Sequence, residues 1–249
     1  MRHHSLKCKT MTNNINMKTI QFIFFIMWVH PSFAVVCHPK INSQFPQYIV
    51  AYGSLIDEQS KKRTDPTAQE SFPALIKGYK RSWSVHGNLP GLNTTFLSII
   101  KDKYASFNGV VYKLSKPENI QLYDKRETTY CREALNADRL EMHSGALPNQ
   151  KQIWIYSASQ KSNEYPSHDF PIVQSYVDTF MRGCIQIEAK FKISPFAKDC
   201  IKSTGQWSEY WENDRIFPRR PSLYEPYARQ IDALLKEMLP EKFKRIKYK

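Results

Sequence analysis

The sequence predicts an α+β fold with a strand-rich first part and a helical C-terminal section. Residues 48–114 alternate short apolar runs with turn residues, and no long helical pattern interrupts them. From Pro171 onward, apolar residues instead recur at helical spacing. The chain has 249 residues, of which 41% are hydrophobic and 24% are charged, so it can bury an ordinary core around one main domain.

The N-terminal segment predicts a secretory signal. A lysine precedes an apolar run at residues 20–29, which is too short for a bilayer span of ~20 apolar residues. Ser32 and Ala34 place small residues at the two positions that signal peptidase recognises. We therefore expect residues 1–34 to be a signal peptide, with Met17 as an alternative start, and the protein to be exported to a periplasm or secreted. An uncleaved anchor or a buried helix is the competing interpretation.

The cysteines agree with an oxidising compartment. Removal of the signal leaves Cys37, Cys131, Cys184 and Cys200, an even set. We expect a disulfide between Cys184 and Cys200, because both lie in one segment of the chain. Four reduced, buried cysteines are the alternative. The spacing of Cys and His fits no zinc motif, so no metal site is expected.

The charge balance is basic. The chain has 36 Lys and Arg against 23 Asp and Glu, a formal net charge of +13, and cations concentrate at residues 241–249. Such a tail can contact an anionic membrane or a nucleic acid. Because no basic helix is clustered within the domain, we expect no nucleic-acid partner. Because the apolar run at residues 20–29 is short, we expect no stable membrane span.

Short strands are predicted along the first part of the chain. The first is the apolar run Tyr48–Tyr52, which ends at Gly53. The turn residue Gly78 separates the next two, and a loop rich in Gly, Pro and Asn precedes the fourth. These later strands are predicted at residues 74–76, 81–85, 96–100 and 110–114, with two more at 130–135 and 152–156.

A helix is predicted to start at Ser115-Lys-Pro-Glu118, which has the order of a capping box. Along it, Ile120, Tyr123 and Glu127 recur at spacings of three and four, which places the Glu127 carboxylate on the apolar face. A buried carboxylate indicates either a functional group or an ion pair, here with Arg126 or Arg132. Further helices are predicted at residues 172–184, 196–201 and 227–239.

Five motifs occur in a fixed order along residues 46–156. They are Tyr52-Gly-Ser-Leu55, Gly78-Tyr-Lys-Arg-Ser-Trp83, Gly109-Val-Val-Tyr112, Leu114-Ser115, and Asp124-Lys-Arg-Glu127 followed by Tyr130. In this order they resemble the γ-glutamylcyclotransferase-like family. The resemblance implies a mixed, partly closed β-barrel with flanking helices over residues 35–160. The helical pattern that follows predicts an extension over residues 161–249, packed on the same domain.

The resemblance also implies a reaction. The free α-amine of a γ-glutamyl group attacks its own γ-carbonyl, which gives 5-oxoproline and releases an amine, amino acid or peptide. Glu127 is the implied general acid and base of this lyase, and no cofactor is implied. Tyr52, Gly53, Ser54 and Leu55 are the implied substrate loop, whose N–H groups would bind the α-carboxylate and the developing oxyanion. Tyr130 is either an orienting group or a residue of the core.

Other candidates have weaker signals. A lone His86 after a strand is more often structural than functional. Arg215, Arg219 and Arg220, with Trp207 and Trp211, form either a lid, a subsite for an acidic leaving group, or a structural network. The competing functions are a catalytically silent exported binding module and a binder of nucleic acid or membrane surfaces. The substrate, and with it the leaving amine, stays open among glutathione, other γ-glutamyl amino acids and ε-(γ-glutamyl)lysine.

Overall fold

The computed structural model describes residues 37–89, 92–158, 164–220 and 224–248. All of them belong to one compact unit. The predicted signal peptide at residues 1–34 lies outside the described residues.

The described residues contain ten strands, which form two sheets. They are β1 (Gln47–Ala51), β2 (Ser71–Leu89), β3 (Leu92–Lys113), β4 (Tyr130–Ala134), β5 (Leu140–Met142), β6 (Gln152–Ala158), β7 (Ile172–Val173), β8 (Thr204–Gly205), β9 (Trp211–Asn213) and β10 (Lys247–Tyr248). The main sheet has the order β4-β6-β1-β3-β2-β5, with β8 paired to β2, and the small sheet has the order β10-β9-β7.

The main sheet is mixed, as the predicted α+β class allows. Strand β1 lies inside it, antiparallel to β3 and parallel to β6, so the chain that follows Ala51 leaves from the middle of the sheet. Strands β4 and β5 stand at the two ends of the order, and in the described part of the chain no pairing joins them. The sheet is therefore open, and its pairing does not support the predicted partial closure into a barrel.

Strands β2 and β3 form one long hairpin of 19 and 22 residues, where the sequence predicts four short strands. Gly78, with φ of +83°, marks a register shift between Lys77 and Tyr79 and not a turn. A glycine inside a strand allows a bulge as readily as a reversal of the chain, and the local sequence does not distinguish the two.

In the part of the chain that the structure describes, six α-helices accompany the sheets: α1 (Glu58–Thr64), α2 (Ile120–Arg126), α3 (Gln174–Phe191), α4 (Phe196–Lys202), α5 (Ala228–Met238) and α6 (Pro240–Phe243). The helix predicted from Ser115 is confirmed as a 3-10 turn, Pro117–Asn119, that continues into α2. Ser115 does not cap it, because its hydroxyl donates to the Thr67 carbonyl. Within the described residues, no helix is long and apolar enough to cross a membrane.

Helix α3 packs directly on the turn that follows β1. A Cβ atom at Gly183 would lie 2.5 Å from the backbone nitrogen of Asp57, so only glycine permits this approach. Beside it, Arg182 forms a buried bidentate ion pair with Asp57, with N–O distances of 2.7 and 3.0 Å. Asp57 also caps α1, since its side chain accepts a hydrogen bond from Ser60 N–H. Asp57 thus connects the turn after β1, helix α1 and helix α3.

Two disulfides link the elements. Cys184–Cys200 joins α3 to α4 across a sequence separation of 16 residues, which confirms the expected pairing. Cys37–Cys131 joins the N-terminal segment to β4. Disulfides are typical of proteins outside the reducing cytosol.

Candidate functional site

A cavity of about 420 Å³ opens beside the end of β1. A smaller cavity of about 40 Å³ adjoins it and is lined by residues 50–55. Ser54, Glu127, Tyr130 and Tyr176 border both cavities. Every residue that the sequence nominates for catalysis or substrate binding therefore borders at least one of these two cavities.

Glu127 lies at the C-cap of α2, where its N–H donates to the Tyr123 carbonyl at 2.8 Å. The side chain is 17% exposed, and its Oε1 accepts a hydrogen bond from Arg126 Nε at 3.0 Å. Burial raises the pKa of the carboxyl above its ordinary value, although the Arg126 and Arg220 guanidiniums oppose that shift. Its Oε2 accepts no hydrogen bond from the described residues.

Arg126 connects Glu127 to the turn after β1. One of its terminal nitrogens donates to Thr64 Oγ1 at 2.6 Å, and the other donates to Ser54 Oγ at 3.0 Å and Ser60 Oγ at 3.2 Å. The sequence offered this pairing only as the structural alternative for Glu127. Arg132, the other partner considered, instead binds Asp124 at 2.9 and 3.2 Å.

The predicted substrate loop, Tyr52–Leu55, leads from β1 into a 3-10 turn, Ser54–Ile56, that starts directly after Gly53. The first N–H groups of such a turn have no acceptor within it. A Cβ atom at Gly53 would lie 3.0 Å from Tyr176 Oη, so a larger residue would press on the α3 side of the site. The loop therefore offers backbone donors in a position that glycine keeps open.

Tyr52 and Leu55 contribute support to this loop through buried side chains. Tyr52 Oη donates to the Tyr156 carbonyl at 2.5 Å, and its own carbonyl accepts from Arg81 at 3.1 Å. These bonds fix the end of β1 against β6 and β2. Tyr52 thus positions the turn and does not extend into the larger cavity.

Tyr130 lies at the start of β4 and borders both cavities. Its hydroxyl donates to the Leu97 carbonyl at 2.9 Å. Burial raises the pKa of this phenol well above its ordinary value, so the group stays neutral. The next residue, Cys131, is bound in the disulfide with Cys37.

Tyr176 and Phe96 form an aromatic wall that sequence analysis did not assign to the site. Their rings lie 5.2 Å apart, and the Arg220 guanidinium carbon lies 4.5 Å from the Phe96 ring centre and 5.5 Å from that of Tyr176. The position of Tyr176 on an apolar helical stripe made it indistinguishable from a core residue. Its partners lie far from it in sequence, so no local signal identifies it.

The other residues named from the C-terminal section have structural partners. Arg215 binds Asp178 and Asp232, and Arg219 binds Glu212 and the Asn93 carbonyl. The rings of Trp207 and Trp211 stack at 5.2 Å.

His86 is likewise held by its neighbours. Its Nε2 lies 2.9 Å from the Tyr165 carbonyl oxygen, and its ring stacks on Phe170 at 4.0 Å. These contacts favour the structural interpretation of this histidine, although the ring borders the larger cavity.

The larger cavity is positively charged. Arg63, Arg126 and Arg220 line it together with one carboxylate, that of Glu127. Such an excess of cations favours an anionic ligand. Within the described residues, no group of three or more Asp, Glu, His or Cys could hold a metal ion.

Comparisons with known proteins gave matches only among solved structures. No family model matches the chain, and no curated protein does. A structure described as a γ-glutamyl cyclotransferase matches with a TM-score of 0.46 and 16% identity, over 63% of this chain and 98% of that one. A human protein described as uncharacterized matches with a TM-score of 0.43 and 17% identity, over 62% and 97%.

A yeast γ-glutamyl cyclotransferase specific to glutathione matches with a TM-score of 0.39 and 13% identity, over 64% of this chain and 97% of that one. Two of these three are γ-glutamyl cyclotransferases. That is the family that the sequence motifs resemble. All three TM-scores are below 0.5, so this likeness by itself decides neither activity nor substrate.

Proposed function

We propose that the protein is an exported γ-glutamylcyclotransferase-type lyase that converts a small γ-glutamyl compound to 5-oxoproline and a free amine. The observation that carries this proposal is the Glu127 carboxylate, which is largely buried, has a raised pKa, and borders a cavity next to the turn after β1. A desolvated carboxylate beside free backbone donors is the minimum that the reaction requires.

Substrate binding uses the turn. The α-carboxylate of the glutamyl group accepts hydrogen bonds from the first N–H groups of the 3-10 turn at Ser54. Arg126 holds the Ser54 side chain and Glu127 at the same time, so the anion site and the carboxylate keep a fixed separation. Because the attack is intramolecular, positioning of this kind supplies much of the acceleration.

Proton transfer uses Glu127. Its carboxylate takes a proton from the substrate ammonium, and the resulting amine attacks the γ-carbonyl carbon to form the ring. Glu127 then returns the proton to the departing nitrogen as the amide C–N bond breaks, and the second proton of the new ring nitrogen passes to the released amine, which leaves as an ammonium ion. Because the pKa of Glu127 is raised, it lies closer to the pKa of the substrate ammonium, and both proton transfers become easier. Oε2 is the oxygen available for them, since Arg126 engages Oε1.

One observation favours a different function. An Arg126–Glu127 ion pair is also what a purely structural carboxylate at a helix end would form. In that case the chain is a catalytically silent exported binding module that uses the same cavity or its basic, aromatic C-terminal section. Binding of 5-oxoproline without turnover of any γ-glutamyl compound would support it.

Two features support the proposal that the protein is exported. The chain has a predicted signal at residues 1–34, and its two disulfides are typical of an oxidising compartment. Secretion into a medium or periplasm, followed by N-terminal sequencing, should give a mature chain that starts at Val35.

The experiment that tests the reaction is release of 5-oxoproline by the purified protein. The panel comprises γ-glutamyl amino acids, glutathione, simple γ-glutamyl amines and ε-(γ-glutamyl)lysine, each compared with a Glu127→Gln variant. Release that depends on Glu127 supports the lyase and identifies the leaving group. A folded, disulfide-bonded protein that releases nothing from any of them refutes it.

A further inference from the structure

Arg220 differs from the other arginines of its segment. Arg215 and Arg219 are each bound to carboxylates of the protein. Arg220 donates its backbone N–H to Ser175 Oγ at 3.1 Å, but no hydrogen bond joins its guanidinium to any described residue. The backbone is thus fixed to the start of α3 while the charged group is left without an anion.

The guanidinium is also desolvated and oriented. It lies over the rings of Phe96 and Tyr176, with its central carbon 4.5 and 5.5 Å from the ring centres. Stacking of this kind holds the plane of an arginine and leaves its edge of N–H donors free. Burial lowers the pKa of the group, which is the effect expected when a cation loses water without gaining a counterion.

The positions of the two cavities indicate which part of the substrate lies next to Arg220. The smaller cavity is bordered by residues 50–55, whose turn would bind the glutamyl carboxylate. Arg220 lines only the larger cavity, and Glu127 lies where the two meet. With the reacting amide at Glu127, the leaving part of the substrate therefore occupies the space next to Arg220.

We propose that Arg220 binds a carboxylate on the leaving group, so that the site selects γ-glutamyl amino acids or short γ-glutamyl peptides over neutral γ-glutamyl amines. This specificity rests on the proposed lyase function. A guanidinium recognises a carboxylate through two parallel N–H···O bonds, and a partly buried, stacked guanidinium does so more strongly than a fully hydrated one. In the larger cavity Glu127 engages Arg126, whereas the Arg220 guanidinium is held by aromatic rings and pairs with no carboxylate of the described residues.

The test compares two substrates that differ in one group: γ-glutamyl-L-alanine, with a free carboxylate, and γ-glutamyl-L-alaninamide, without it. We expect the wild-type protein to favour the acid in kcat/KM. Arg220→Gln should lower kcat/KM for the acid by about 10- to 100-fold, the loss typical of one charged hydrogen-bonded contact, and change the amide by less than about threefold. Equal losses for both substrates would overturn the subsite.

Arg63→Gln is the matched comparison, because it removes the same charge from the same cavity. If Arg220 acts by direct contact, Arg63→Gln should change the acid-to-amide ratio by less than about threefold. An equal change in both variants would mean that the cavity selects acids through its overall field, and would overturn the assignment to Arg220. Arg220→Lys should restore part of the preference, since it keeps the charge and loses the fork.

Binding measurements separate this proposal from the reaction. Calorimetry with Glu127→Gln gives the Kd of the acid and of the amide without turnover. If the wild-type protein releases no 5-oxoproline but binds the acid more tightly in an Arg220-dependent manner, the lyase fails and the subsite stands. If Arg220→Gln turns over both substrates with an unchanged ratio, the lyase stands and the subsite fails. No binding of either compound overturns both.

Discussion

At the scale of single residues, the proposed catalysis depends on how Glu127 is held. Its side chain is largely buried and touches one guanidinium, that of Arg126, while a second, that of Arg220, acts on it without direct contact. Burial disfavours the ionised carboxylate and both cations favour it, and the net effect is a raised pKa. A carboxyl with a raised pKa accepts and returns a proton more readily than a fully paired carboxylate, whose pKa is lowered.

The raised pKa of Glu127 also predicts how Glu127→Gln changes the stability of the fold. Because the pKa of Glu127 is raised in the folded state, its stabilising contribution is largest at pH values below the unfolded-state pKa. That contribution decreases as the pH rises through the folded-state pKa. Above the folded-state pKa the ionised group therefore costs folding free energy, and at such pH Glu127→Gln should unfold at the same or a higher temperature. Thermal unfolding followed by circular dichroism checks this, and a clearly lower midpoint would show that the ion pair with Arg126 matters more than burial.

A second prediction concerns the pH profile. Arg126→Gln removes the cation that most opposes the raised pKa of Glu127, so that pKa should rise further. The acidic limb of kcat/KM then moves to higher pH, because the base must be ionised to accept a proton. Thr64→Val is the control, since it removes a hydrogen bond from Arg126 and leaves its charge in place. A limb that stays in place in Arg126→Gln, or moves to lower pH, would contradict the assignment of the base.

Sequence analysis could nominate Glu127 and the turn at Tyr52–Leu55 because both lie within short, ordered motifs. It could not separate Arg220 from Arg215 and Arg219, which stand within six positions of one another in an equally aromatic segment. Their difference arises from partners elsewhere in the chain, such as Asp178 for Arg215 and Phe96 for Arg220. Contacts between segments that are distant in sequence decide which arginine lacks a carboxylate partner, and the local sequence does not predict those contacts.

At the scale of elements, the site depends on the fit of α3 over the turn after β1. Gly183 allows the contact, and the Arg182–Asp57 ion pair fixes it. The strand predictions illustrate the limit of local patterns here: the positions of apolar runs in β2 and β3 were found, but their continuity was not. A bulge at Gly78 preserves the pairing that a turn would end.

Gly183→Ala tests the fit of α3. Alanine is intrinsically better than glycine in a helix by ~1 kcal/mol, so an unobstructed substitution would stabilise the protein. Here the new Cβ would lie 2.5 Å from Asp57 N, and the resulting displacement of backbone should cost about 1–3 kcal/mol beyond that gain. Urea unfolding should therefore show net destabilisation, with Gln186→Ala, at a partly exposed position of the same helix, as the comparison. A more stable Gly183→Ala protein would contradict the packing described.

At the scale of the whole molecule, the C-terminal section completes the fold of the first part. Strand β8 joins β2 in the main sheet, and α3 contributes Tyr176 to the cavity. Arg81, which is fully buried, donates to the carbonyls of Tyr52 and Cys200 and to the hydroxyl of Thr204. Burial lowers the pKa of this guanidinium to about 9, and its partners are carbonyls and hydroxyls from both sections. We propose that residues 35–160 and the extension 161–249 form one cooperative unit.

Truncation tests that unit. A chain of residues 35–160 would expose the apolar surface that Val177, Phe180 and Met181 cover, and would leave Arg81 buried without several of its acceptors. We expect it to lack the near-UV circular dichroism of a fixed core and to be digested rapidly by protease. A stable, cooperatively unfolding fragment would show instead that the extension is an independent addition.

The central claim is that Glu127 catalyses cyclisation of a γ-glutamyl group. The most direct measurement is the initial rate of 5-oxoproline formation from γ-glutamyl-L-alanine by the wild-type protein and by Glu127→Gln, with folding of both verified. We expect release well above the uncatalysed rate, reduced by about 10²- to 10⁴-fold in the variant, because a general acid and base has been removed. A folded variant as fast as the wild type, or a folded wild type with no release, would contradict the claim.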